Sequence, residues 1–477
     1  MPRTQLPIAD GFYISESLPF LNKRLVNFNP VIPQADAINS RAIFGTPGVV
    51  EFSDIVVGTS RGSFTFKDGV PYYVLGNALY SFDSLGVGTN HGIISGSDDV
   101  SIDSAGDSYF FTPRTSVLEL NNDTNFLSFG QAKNVTFKDG YYTYVTDENF
   151  FTSSLKIVND GKDFDALDFS DAEFNPDKLV TSHNSLNQLY VFNEFTTEVF
   201  QTTSATGFPF TRIQGAIIQK GCSAPNTVTN FDNGFVWLGA DKNEKPAIWY
   251  ARGSSVKKLS TSSIDQLIHK NSESDIFAAR SFTYALNGNY FYVITVGNNT
   301  FEYNSTTSGL AGSPQWNERQ SGITRGESFA PWRARHAQLA YDKILIGDDR
   351  SGKIGFLDSD TFTEYGETIE CIVSTKPFTQ HVDVIFSKEV ELLGETGVGN
   401  DAVEDPKVRM DYSDDGGRNF LNEIQRSMGK KGKYKTRMRW SRLGSIPNYR
   451  VVRFFFTDPC RRNIYALYAN ATGSNSG

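Results

Sequence analysis

Apolar and aromatic residues along this chain gather in short paired runs separated by a polar or glycine turn, with no long helical period between them. Seven such pairs can be read: Gly69–Tyr80, Gly106–Leu120, Gly140–Phe151, Asn187–Phe200, Gly234–Tyr250, Gly288–Tyr303 and Asp342–Leu357. Their starts lie 37, 34, 47, 47, 54 and 54 residues apart. A four-stranded propeller blade takes roughly 40 to 50 residues. Its central hairpin must be apolar on both faces, because blades stack on their neighbours. The pattern predicts an all-β chain built around a β-propeller of about seven blades. The narrow early intervals also fit half-blades of a sandwich, and the wide late ones leave room for insertions or an eighth blade.

Outside these pairs the pattern changes. Thr261–Ile268 reads as a short connecting helix, with Ser262 or Ser263 as its cap and Ile264, Leu267 and Ile268 on one face. The first fifty residues, with Pro19, Pro30, Pro33 and Pro47 in extended surroundings, read as an arm that needs something to hold it. After Leu357 the repeat is lost. A β-rich module follows, with alternating runs at Val382–Phe386, Val408–Tyr412, Lys435–Trp440 and Val451–Phe456. The predicted organisation is an N-terminal arm over 1–50 that joins the platform, a propeller body over 51–365, and a C-terminal β-rich platform module over 366–477.

Composition sharpens this picture in three ways. The 477 residues include 38 Phe and 21 Tyr, which excludes a disordered chain. The start lacks the basic and apolar stretches of a secretory signal, and no run reaches eighteen apolar residues. A soluble chain made in a cytosol, without membrane insertion, is expected. Cys222, Cys371 and Cys460 lie far apart, so neither a disulfide framework nor a zinc cage is suggested.

Charge is divided unevenly. The net −9 combines −20 over residues 1–425 with +11 over 426–477. A body at −20 argues against non-specific affinity for nucleic acid. Ten basic residues and no acidic one fall between Arg426 and Arg453. Two readings stand open for them. One is a partner-docking face, drawn from Lys430, Lys431, Lys433, Lys435, Arg437, Arg439, Trp440 and Arg442. The other is a solvated strand face balanced by acidic neighbours in the same fold.

Candidate chemistry is sparse. Ser413, Asp415, Gly417 and Phe420 match S-x-D-x-G-x-x-F, the Asp-box of sialidases, in which the Ser and Asp brace a hairpin turn and none of the residues touches substrate. A sialidase would carry several such boxes inside its propeller, whereas this one lies outside the repeats. His91, His183, His269, His336 and His381 are isolated and read as structural. No phosphate-binding loop is present, and Cys222 reads as a small packed hydrophobe. No catalytic, cofactor or metal site is expected, and function should lie in surfaces.

Several segments together resemble a known family. They are Gly45-Thr-Pro-Gly48, Gly58-Thr-Ser-Arg-Gly62, Thr197-Glu-Val-Phe200, Ile218-Gln-Lys-Gly-Cys222, Ser263–Ile268 and Pro314-Gln-Trp316. Near the end come Tyr412-Ser-Asp-Asp-Gly-Gly, Arg439-Trp-Ser-Arg-Leu-Gly444 and Arg450-Val-Val-Arg-Phe. In order and spacing they resemble the tail hub, or nozzle, proteins of short-tailed bacteriophages, also called packaged-DNA stabilisation or head-completion proteins. Residues 159–185 and 394–406 match nothing in that pattern. The resemblance implies a non-enzymatic homohexamer in the virion tail, assembled in the bacterial cytoplasm below an adaptor ring. It also implies continuation of the channel for double-stranded DNA, retention of the genome, and anchoring of a needle, tailspikes or fibres. An extended arm would suit locking neighbouring subunits together. The rival reading is a propeller that binds or cleaves glycans.

Overall fold

The computed structural model describes residues 4–55, 58–66, 68–105, 108–112, 118–121, 125–128, 132–153, 164–170, 177–203, 207–378 and 385–473. Each apolar pair forms the second and third strands of an antiparallel four-stranded meander. Gly69–Tyr80, for example, gives Pro71–Leu75 and Ala78–Phe82, flanked by Ser60–Thr65 and Gly88–Ile93. The first strand of each meander packs beside that of the next, and Ala334–Ala340 returns to Ser60–Thr65 to complete a ring. The chain is an all-β propeller with a C-terminal β-sandwich.

Five meanders stand as separate four-stranded blades, where the sequence led us to expect about seven. The last two repeats differ because their outer edges are used for joining. Trp316–Arg319, the fourth strand of the sixth repeat, pairs with Leu25–Val26 of the arm and so becomes part of a nine-stranded sheet. Lys353–Asp358 in the last repeat pairs with Gly48–Asp54, inside a six-stranded sheet. A strand from before the first blade thus closes the ring.

Aromatic side chains fill the space between blades. Phe235 lies 4.6 Å from Tyr190, and Trp237 lies 5.8 Å from Phe192, in tilted and edge-on arrangements. Two-residue turns link the first two strands of several meanders. Leu186 and Asn187, Asp232 and Asn233, and Tyr341 and Asp342 all have φ between 46° and 60°, the double left-handed turn that matches strand twist. The predicted helix spans Ser262–Ile268 with Thr261, rather than Ser262 or Ser263, as its cap, and buries Ile264, Leu267 and Ile268.

The sandwich packs two layers. One contains Cys371–Ser374, Val451–Phe456, Lys407–Ser413 and Leu421–Ser427; the other contains Met438–Ser441, Ile385–Gly394 and Asn463–Gly473, with Ala42–Gly45 and Phe28–Val31. Val390, Leu392, Val408, Met410, Trp440, Phe454 and Leu467 fill the space between them. The expected strand at Lys435–Trp440 is confined to Met438–Ser441.

The first fifty residues are held by their own fold: Thr4–Leu6 pairs with Asn463–Gly473, Leu25–Val26 bridges propeller and sandwich, and Gly48–Asp54 closes the propeller. Pro33 and Pro47 lie between their short strands, Pro19 lies in a turn, and Pro30 sits within Phe28–Val31, the outer strand of its sheet, where a missing donor is tolerated.

Candidate docking surface

The basic segment divides into paired and unpaired cations. Arg437 holds Glu391 bidentately at 2.5 and 2.7 Å, and Arg439 lies 3.4 Å from Glu389. Lys431 meets Asp401 at 2.6 Å and Lys430 meets Glu404 at 3.9 Å. The hydrogen bond between Lys431 and Asp401 raises the pKa of the ammonium and lowers that of the carboxyl. Arg450 and Arg453 are buried on Asp414 and Asp411. These six each meet a carboxylate of the same fold. Two of their carboxylates, Asp401 and Glu404, belong to the 394–406 segment, which none of the quoted motifs covers.

Trp440 does not belong to the surface. It is fully buried, and its indole N–H donates to the Ile424 carbonyl at 3.0 Å. Lys433, Lys435 and Arg442 are exposed and have no carboxylate partner among the described residues. Tyr434, between the two lysines, is 74% exposed. The backbone beneath it is fixed. Thr396 Oγ1 donates to the Tyr434 carbonyl at 3.0 Å, and Lys433 N donates to the Lys430 carbonyl at 2.8 Å. Gly397 has φ 74° and lies so close that an added Cβ would stand 2.8 Å from the Lys433 carbonyl carbon. Sequence reasoning passed over Tyr434, although an aromatic residue between two lysines in a polar loop was the available signal.

The four Asp-box residues lie in the turn joining Lys407–Ser413 to Leu421–Ser427. Gly417 N donates to Ser413 Oγ at 2.8 Å, while Arg418 N and Asn419 N donate to Asp415 Oδ1, each at 2.9 Å. Burial opposes ionisation of Asp415, but the hydrogen bonds from Ser413, Asn419 and Arg418 outweigh it and hold the carboxyl well below its usual range. Phe420 covers the Arg453 guanidinium at 3.6 Å. The motif braces a turn, as its residue types predict.

Next to this turn, the loop after Trp316–Arg319 is clamped between the domains. Gly326 O accepts from Arg24 and from Arg453, each at 3.1 Å, and Glu370 Oε2 accepts from Thr324 N and Arg325 N, each at 2.8 Å. Arg24 also holds Glu318 at 3.0 and 2.7 Å. Asn27 Nδ2 donates to the carbonyls of Gln320 and Glu370. Nothing local in the sequence signals this clamp, because its bonds join residues between 45 and 343 positions apart in the chain.

The family described as bacteriophage P22 Gp10, β-propeller, matches residues 4–362, and that described as bacteriophage P22 Gp10, β-sandwich, matches residues 370–472. This chain belongs to the bacteriophage P22 Gp10 family. Gp10-family chains are podovirus tail hub proteins, so this one is a structural protein of a phage tail and a virion component. No curated protein sequence matches the chain. Solved structures with a similar backbone include the extracellular domain of BT4673 from B. thetaiotaomicron, at 8% identity and TM-score 0.43, covering 73% of this chain and 44% of that one. The chain therefore spans less than half the length of that relative. The WD40 domain of Neurospora crassa Pan2 gives 8% and 0.41, covering 65% and 96%. The N-terminal domain of Nup159 gives 9% and 0.39, covering 68% and 97%.

Near its axis, the Gp10-family propeller is crossed by polar contacts. Asn226, entering the fifth blade, donates to Asp99, entering the second, at 2.7 Å. Arg335 of the last repeat pairs with Asp99 and, at 2.9 Å, with Asp349, which also takes Arg280 of the sixth at 2.8 Å. Burial disfavours the Asp99 carboxylate, but Arg335 and its neighbours overcome this and lower its pKa. Beside them burial pushes the His336 imidazole down to about 3, with Ser60 Oγ 3.0 Å away. His91, His183 and His269 are likewise hydrogen-bonded, to Ser81, Asn230 and the Pro246 carbonyl; His381 lies outside the described residues. Burial raises the Cys222 thiol to about 12, which leaves it a poor nucleophile. Among the described residues, no group of His, Cys, Asp and Glu could hold a metal ion, and no helix is long and apolar enough to cross a membrane.

Proposed function

We propose that this chain forms the hub of a short phage tail: six copies in a ring beneath the portal and its adaptor. The ring continues the DNA channel, retains the packaged genome, and carries needle, spike or fibre proteins. The observation that carries this reading is the family match across both domains. The clamp of Arg24, Arg453, Asn27 and Glu370 supports it, because it joins propeller to sandwich as one stiff unit that can bear load. The polar contacts across the propeller support a DNA path along the axis of the ring of copies, outside each propeller. Around that path an acidic body gives phosphates little to hold. Lys433, Lys435 and Arg442, which meet no carboxylate among the described residues, offer contact to acidic groups of an adjoining tail component.

The test is to add the purified chain to DNA-filled heads that carry portal and adaptor but lack this protein. Images should show six copies around the portal axis, and the heads should hold their DNA longer. Heads that retain DNA equally well without it, or a chain that by itself degrades host polysaccharide, would contradict the reading. The second outcome would favour the glycan-cleaving rival.

A further inference from the structure

The propeller carries an exposed patch that complements the bare tip of the sandwich. In the first blade, the turn between Ala78–Phe82 and Gly88–Ile93 exposes Leu85 and Val87, which are 83% and 61% accessible. Gly88–Ile93 is also the free outer edge of its sheet. Around this turn stand Asp83, Asp68 and Asp342, all exposed and none with a cationic partner among the described residues. Asp83 and Asp68 both lie near enough to the Tyr341 phenol to raise its pKa, after burial, and Asp342 is its neighbour in the turn. Tyr341 in turn donates to the Phe82 carbonyl at 2.7 Å. The nearby Lys343 covers the Phe356 ring at 4.6 Å.

Two exposed apolar side chains beside three carboxylates that no cation meets among the described residues call for a partner with an amphipathic surface and cations spaced about it. The same chain presents one. Lys433, Tyr434 and Lys435 place an exposed aromatic ring between two unpaired ammonium groups, on a backbone already fixed by Thr396 and Gly397. A tip held in one conformation loses little entropy on docking. The two surfaces are different, so copies joined this way make a head-to-tail contact, which generates a closed ring when the rotation between copies permits.

We propose that the occupant of the Leu85–Val87 patch is a second copy of this chain, whose Lys433-Tyr434-Lys435 tip seats on it with the lysines facing Asp68, Asp83 and Asp342. The proposal rests on the ring reading and gives it an interface. Its test uses the full chain at rising concentration, followed by sedimentation and by images on adaptor-bearing heads. The reversals Lys433→Glu with Lys435→Glu, and separately Asp83→Lys with Asp342→Lys, should each weaken self-association by about 100-fold or more. The tip variant should keep the circular dichroism and melting temperature of the parent, since both lysines are exposed. Asp83 Oδ1 also accepts from Leu85 N and Val87 N, each at 2.9 Å, so Asp83→Asn with Asp342→Lys, which keeps that oxygen, is run beside the patch reversal and should melt like the parent while still weakening association. Mixing the two reversals should restore association, because reversed tip then meets reversed patch and native tip meets native patch. If the parent forms rings and the single-site reversals leave them intact, or mixing restores nothing, the contact is wrong and the hub reading stands. If the parent forms no ring at any concentration or on heads, both fall.

Discussion

Charged groups in the propeller and its junction behave differently from those in the sandwich loop at 428–437. Arg319 is fully buried beside Glu302 at 3.0 Å and stacks on Trp332 at 3.7 Å, and Tyr284 donates to the same carboxylate. Lys431 and Asp401 also approach closely, yet their side chains are 58% and 98% accessible. Distance alone does not distinguish the two. Removing one partner of a buried pair strands a charge without water, whereas an exposed partner is simply resolvated. The ring therefore uses charge to fix its shape, whereas the loop's charges stay in contact with water.

The sharpest way to break this contrast is Arg319→Ala. It should cost about 3 to 5 kcal/mol, read as a fall in the urea midpoint. A change no larger than that of a surface mutation would remove the distinction. A smaller effect is expected from acid. The folded pKa of His336 is depressed to about 3 by burial, so between pH 6.5 and 3 the unfolded chain binds a proton that the folded chain refuses. Stability should fall as pH drops through that window, by at most about 1.4 kcal/mol per pH unit for this group. His336→Gln should flatten the profile of melting temperature against pH.

Within the sandwich, Ser413→Ala removes the oxygen that accepts from Gly417 N and should cost about 1 kcal/mol in chemical denaturation. The smallest effect belongs to Lys431→Ala, which should leave the melting temperature unchanged and the parent's self-association nearly intact. A large loss of stability there would mean that the loop charges are structural after all.

What could be read from the sequence follows from range. The hairpin centres were legible because strands such as Tyr141–Val145 and Phe150–Ser153 are apolar on both faces and separated by a short turn. The Asp-box turn was legible because its bonds span four residues. The merged sixth and seventh repeats were not, since the pairing of Glu318 with Val26 joins positions nearly 300 residues apart and leaves no local periodicity. The acidic partners of the basic segment were hidden for the same reason. Glu389, Glu391, Asp401 and Glu404 precede it in sequence, and only the fold returns them to Arg439, Arg437, Lys431 and Lys430. Trp440 was assigned to the surface because alternation in a short strand does not say which side is the interior.

The pairing of Thr4–Leu6 with Asn463–Gly473, and of Gly48–Asp54 with Lys353–Asp358, sets a timetable for synthesis. These N-terminal segments must wait for partners made about 300 to 460 residues later, on the order of half a minute at ordinary elongation rates. Until then the ring has a gap and the sandwich lacks strands from both of its layers. A copy cut short before Asn463 has no partner for Thr4–Leu6, and one cut short before Lys353 leaves Gly48–Asp54 without its antiparallel neighbour.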